Sequence, residues 1–100
     1  MIINIERFGS VLTSRQAGKE AYAAFLPTLA GLGGREEIVV DFKGVDVFSP
    51  SWGDEFLTPL QKKFGERLRL KKSGNPSVSL TIKTLEKGND ITFNRANTSS

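Results

Sequence analysis

The chain has 100 residues, a net charge of +3, no histidine and no cysteine. That length is one domain, burying roughly 60 to 70 per cent of its unfolded surface with no room for a large internal cavity. The missing residue types exclude a disulfide framework, Ser-His-Asp catalysis, imidazole acid-base chemistry and the usual zinc sites.

From the amino end, Ile2 to Ile5 reads as a short strand. Glu6 brings a charge almost at once, and no apolar run approaches the ~18 residues of a membrane span, so the expectation is a soluble, cytoplasmic protein. Thr13-Ser-Arg-Gln16 resembles a capping box and predicts a helix from about Ser14. Ala17, Ala21, Ala24, Phe25 and Leu29 recur at helical spacing, with small residues that would let this helix lie close to a sheet. Pro27 predicts a kink, and Gly31, Gly33 and Gly34 close the element. Ile38 to Phe42 is nearly continuous and β-branched, as expected of a central strand covered on both sides. Ser49 to Ser51 opens a second helix reaching about Glu66, with Trp52, Phe56, Leu57, Leu60 and Phe64 along one stripe and a second interior proline at Pro59. Leu68 and Leu70, alternating with Arg67, Arg69 and Lys71, read as a strand with one wet face whose cations discourage edge pairing.

Two readings compete beyond Asn75. Val78, Leu80 and Ile82 alternate with polar residues as in a strand, and Lys87-Gly-Asn-Asp90 would turn it into a hairpin. Against this, Asn75 suits an N-cap, Pro76 the first helical position and Gly88 a C-terminal cap, while Val78, Ile82 and Leu85 fall on one helical face. The domain is expected to span residues 1–94, with 95–100 as a polar tail.

The stretch from Ile38 to Leu57 resembles the STAS-like domains, small relatives of the anti-sigma factor antagonists. Val39-Val-Asp-Phe-Lys-Gly-Val45 matches the strand ending in Asp followed by a Gly-Val turn, and Ser49-Pro-Ser-Trp-Gly-Asp-Glu-Phe56 matches the serine loop that enters a helix. Phe8-Gly-Ser-Val-Leu-Thr-Ser-Arg15 is similar to the segment that introduces the first helix in those domains, and the resemblance runs over about residues 2 to 87. It implies an α/β single domain with a mainly parallel sheet, β-α-β-α-β-α order and helices packed on the sheet; it also favours helix after Asn75. By register, Ser51 stands where the antagonists carry the serine that a kinase phosphorylates. Ser49, Pro50 and Trp52 replace the Asp, Ser and Gly of their loop, so the looser STAS-like pattern fits better. The partner class implied is a histidine-kinase-like ATPase or a serine kinase.

Ser51 or Ser49 can simply cap the helix, or serve as phospho-acceptor and recognition residue. Around them, Asp41, Asp46, Trp52, Asp54 and Glu55 form the candidate partner surface. Trp52 shares the spacing of core residues, and only if exposed would it anchor an interface. Asp54 and Glu55 point about 100 degrees apart on a helix and suit the positive helix N-terminus better than paired acid-base chemistry. Asp41 is expected to hold the loop after the strand, with Gly44 supplying a turn. No Gly-x-Gly-x-x-Gly or Gly-Lys-Ser/Thr sequence occurs. The expectation is therefore a protein-binding regulatory domain with no enzymatic activity, cofactor or metal. The alternative is nucleic-acid association through Lys62, Lys63, Arg67, Arg69, Lys71 and Lys72, which lack interleaved exposed aromatics for base stacking.

Overall fold

Hydrophobic periodicity alternates along the chain, and secondary structure follows it. In the computed structural model, which describes residues 1–96, the strands are β1 (Ile2–Asn4), β2 (Val11–Leu12), β3 (Ile38–Asp41), β4 (Val47–Phe48), β5 (Leu68–Leu70) and β6 (Asn94–Arg95). Helices α1 (Arg15–Ala30), α2 (Pro50–Phe64) and α3 (Pro76–Asn89) connect them, with 3-10 turns at Ile5–Phe8 and Gly65–Arg67. Strands β1, β3, β5 and β6 make one sheet in that order, every pair parallel, and β2 pairs in parallel with β4. This is the α/β architecture with a mainly parallel sheet that the sequence implies. The β2–β4 pair is additional, because two-residue strands carry no readable period.

The order of the large sheet never reverses, so right-handed crossovers bring the helices to one face. Side-chain burial agrees: Ile3, Ile38, Val40, Leu68 and Leu70 are buried, whereas their alternating neighbours Ile2, Asn4, Val39, Asp41 and Arg69 are exposed or half-buried. Strand β3 is therefore central but covered on one side, not two. The open face is mostly polar, with Arg69 paired to Glu37 at 2.9 Å and Lys71 to Asp41 at 3.6 Å. Strand β5 is an interior strand rather than an edge, since β6 pairs along it in the register Arg69 to Asn94 and Leu70 to Arg95. The sheet thus extends to Arg95, one residue into the stretch expected as tail, and residues 97–100 of that stretch lie outside the described residues.

Helix α2 is the centre of the helical layer. It buries Trp52, Phe56, Leu57, Leu60 and Phe64 and has α1 on one side and α3 on the other. Its helix continues through Pro59, as α1 continues through Pro27. In α1 the buried stripe is Gly18, Phe25 and Leu29 with Ala21 and Tyr22 half-buried, while Ala17 and Ala24 are exposed. The close approach is made by Gly18 against the α2 backbone: a Cβ there would lie 2.6 Å from the Trp52 carbonyl oxygen. Ser14, not Thr13, caps α1, accepting from the Ala17 amide at 3.1 Å, and Gln16 bonds Glu20 instead of completing a box. The segment after Asn75 is helical: the Asn75 side chain accepts from the Ser77 amide at 2.8 Å, and Pro76 opens α3. Its C-cap is Asp90 in the left-handed region (φ 52°), and Gly88 lies inside the helix.

Candidate functional site

The approach to α2 is pinned from several elements. The Ser49 amide donates to the Leu12 carbonyl at 2.9 Å, in the β2–β4 pairing, and the Asp46 and Val47 amides both donate to the Ser10 carbonyl. From α3, the Ser77 hydroxyl accepts from the Phe48 amide at 2.9 Å and donates to the Phe48 carbonyl, which the buried Thr81 hydroxyl also reaches. The Asn75 side-chain amide donates to the Val45 and Asp46 carbonyls at 2.8 and 3.0 Å. Earlier in the loop, Asp41 accepts from the Lys43 amide at 3.0 Å and Gly44 takes φ 87°, the turn chemistry that the sequence indicates for both.

Ser49 is the N-cap of α2. Its Oγ accepts from the Trp52 amide at 3.4 Å and donates to the Thr13 carbonyl at 3.0 Å. Ser51 is therefore not the cap. It lies in the first turn, half-exposed, and among the described residues its hydroxyl makes no hydrogen bond. Pro50 beside it is exposed.

Trp52 is removed from the candidate surface, being 1% exposed. Its indole stacks on Phe56 with ring centroids 5.0 Å apart and meets Phe8 and Phe48. The helical stripe puts it inward, and Gly18 of α1 lies against its backbone. Asp41 is separated from the serines too, because it projects from the open face of the sheet while α2 covers the opposite one. Asp46 is exposed and free of side-chain partners among the described residues.

Asp54 and Glu55 converge despite their angular separation on the helix, because one guanidinium spans them. Arg15 Nη1 donates to Asp54 Oδ2 at 3.2 Å and to Glu55 Oε1 at 3.0 Å. Asp54 Oδ1 also accepts from Thr58 and from Asn89. Partial burial pushes the Asp54 carboxyl up, but the hydrogen bonds from Arg15, Thr58 and Asn89, with the charge of Arg15, outweigh it and hold the group below its usual value. The bonds to Glu55 and Asp54 raise Arg15 in turn. One guanidinium against two carboxylates leaves this cluster with a net negative charge at the start of α2.

The basic run from Lys62 to Lys72 divides. Lys62 and Lys63 end α2, and Arg67 donates to the Gly33 carbonyl at the amino edge of the sheet. Lys71 and Lys72 follow the last residue of β5, at the carboxyl edge. Arg67 and Lys71 are thus roughly 13 Å apart along an extended strand. Arg15, Ser77, Thr81 and Asn89 are the site residues that sequence reading misses. Their partners are 29 to 40 positions away in the chain, and only helix orientation brings them together.

A family model described as a STAS-like domain of unknown function (DUF4325) matches residues 17–78, from the first turn of α1 to that of α3. The match contains the whole Ser49 to Glu55 segment and is shorter than the span of about residues 2 to 87 over which the chain resembles such domains. No curated protein and no solved structure matches the sequence.

Proposed function

Because the chain belongs to the STAS-like domain family DUF4325, we propose that it is a non-enzymatic regulatory module that binds a protein partner through the start of α2. The surface consists of Ser51 with Pro50, Asp54, Glu55 and Asp46, and its neighbours include the exposed apolar side chains of Val47 (41%) and Val11 (60%). The observation that carries this reading is the contrast between the two serines. Three neighbours of Ser51 are committed to structure: Ser49 to the cap, Trp52 to the core, and the Phe48 backbone to α3. The Ser51 hydroxyl is half-exposed on this rigid frame and has no hydrogen-bond partner among the described residues, and recognition groups on rigid elements lose little entropy on binding.

A partner of the histidine-kinase-like ATPase or serine-kinase class would read or phosphorylate Ser51. A phosphate there gains from the positive helix end and is repelled by Asp54 and Glu55. The Arg15 guanidinium offsets one of those two negative charges, which lowers the repulsion without removing it. The absence of histidine and cysteine and the engagement of Asp54 and Glu55 by Arg15 support a binding rather than a catalytic role. The test compares Ser51→Asp and Ser51→Ala in capture of the native partner, alongside thermal melting. A change in affinity with an unchanged Tm is expected, and equal affinity of both variants and the parent would remove Ser51 from the function.

A further inference from the structure

We propose that a second site, independent of the Ser51 surface, binds a small phosphorylated anion at the carboxyl edge of the β3, β5 and β6 strands. A cleft of about 790 Å³ opens there, lined by Asp41, Lys43, Lys71, Lys72, Ser73 and Arg95 among others. That volume is within the range of small-ligand sites, roughly 300 to 1,000 Å³. A smaller hollow of about 230 Å³ shares Lys71, Lys72, Ser73 and Arg95 with it and adds Lys83 of α3.

The charge balance of the cleft selects the ligand. Four cations face one carboxylate, and Asp41 is already occupied: it accepts from the Lys43 amide and pairs with Lys71 at 3.6 Å, holding that ammonium at the rim. Arg95 is fixed by its bond to the Phe93 carbonyl, with Glu86 at 3.9 Å. Lys43 and Lys72 have no ion-pair partner among the described residues and are exposed. Ser73 accepts from the Asn75 amide, which leaves its own hydrogen to donate. Several lysines around one guanidinium fork suit a compact group of high charge density, a di- or triphosphate moiety, better than a single carboxylate. No aromatic side chain lines the cleft, so the charged end and not a stacked ring is recognised. Concavity distinguishes it from a flat strip that would follow a nucleic-acid backbone.

Inorganic tripolyphosphate is the probe, titrated into the full chain by calorimetry and by amide chemical-shift mapping. Saturable binding is expected, with shifts concentrated at Lys43, Lys71 to Gly74 and Arg95. The Lys43→Ala/Lys72→Ala variant should weaken it about tenfold or more, whereas Lys62→Ala/Lys63→Ala, with the same loss of charge at the far end of the molecule, should change it less than about twofold, since screening confines each cation's influence to about 10 Å. No saturation at millimolar probe, equal weakening in both variants, or tighter binding of single-stranded RNA through the same residues would overturn the proposal. The shift map of the parent chain decides the location even if a variant folds poorly.

Discussion

Ser49 and Ser51 stand two residues apart, and their partners predict opposite responses to substitution. Ser49→Ala removes both the α2 cap and the bond to the Thr13 carbonyl, and should cost about 0.5 to 2 kcal/mol in chemical denaturation. Ser51→Ala and Ser51→Asp remove no bond within the described residues and should stay within about 0.5 kcal/mol of the parent. Asp54 makes a pH-dependent contribution whose sign follows from its depressed value. The folded state favours the carboxylate, so the stabilisation is complete above the ordinary value of 3.8 and is lost as pH falls through the lower folded value. Acid unfolding followed by fluorescence of the buried Trp52 should therefore be less steep in Asp54→Asn than in the parent as pH falls from 3.8 toward the lower folded value. At this scale the sequence located Ser49, Ser51 and the turn at Asp41 and Gly44, since caps and turns are local chemistry. It could not divide the work between the serines or foresee the Arg15 clamp, which joins groups 39 and 40 positions apart.

Between elements, the tightest constraint is the crossing of α1 and α2. Gly18→Ala would drive a methyl group onto the Trp52 backbone, where neither helix has a flexible side chain to move aside. Overpacking of this kind costs about 1 to 3 kcal/mol, measurable as a lower urea midpoint. Gly88→Ala makes a useful contrast, since a Cβ there meets nothing and the residue is helical. It should stabilise by up to about 1 kcal/mol through helix propensity. The first two helices were legible from caps and period, with the Trp52 to Phe64 stripe as the buried face of α2, whereas Asn75-Pro76 and the alternating run after it left helix and strand in competition until the fold decided for α3. The small-residue face of α1 was legible in kind but not in partner, because Ala and Gly permit close approach without saying to what. Gly18 receives a helix, and Ala17 and Ala24 face outward.

For the whole molecule, the large sheet and the β2–β4 pair differ in how they are held. Interior amides of β3 and β5 are bonded between strands and buried under α2, whereas β2 and β4 are short and depend on α3 gripping the Phe48 backbone. Native-state hydrogen exchange should rank Val40 and Leu70 amides near global stability, and those of the β2–β4 pairing well below it. Thr81→Val, which removes one of the α3 donors to Phe48, should speed exchange around Ser49 more than in β3. By itself the sequence determined the alternation of strand and helix as far as β5, the parallel sheet with β3 inside it, and a serine-led helix start within a STAS-like chain. Periods of 2 and 3.6 residues, caps and turns are written in neighbouring residues and suffice for the elements, whereas the parallel sheet and the STAS-like reading follow from the resemblance carried by Val39 to Val45 and Ser49 to Phe56. Tertiary structure alone decided that one sheet face stays open, that β6 shelters β5, and that the basic run splits between two edges. Each of these depends on which distant segments become neighbours, and long-range pairing leaves no period in the chain.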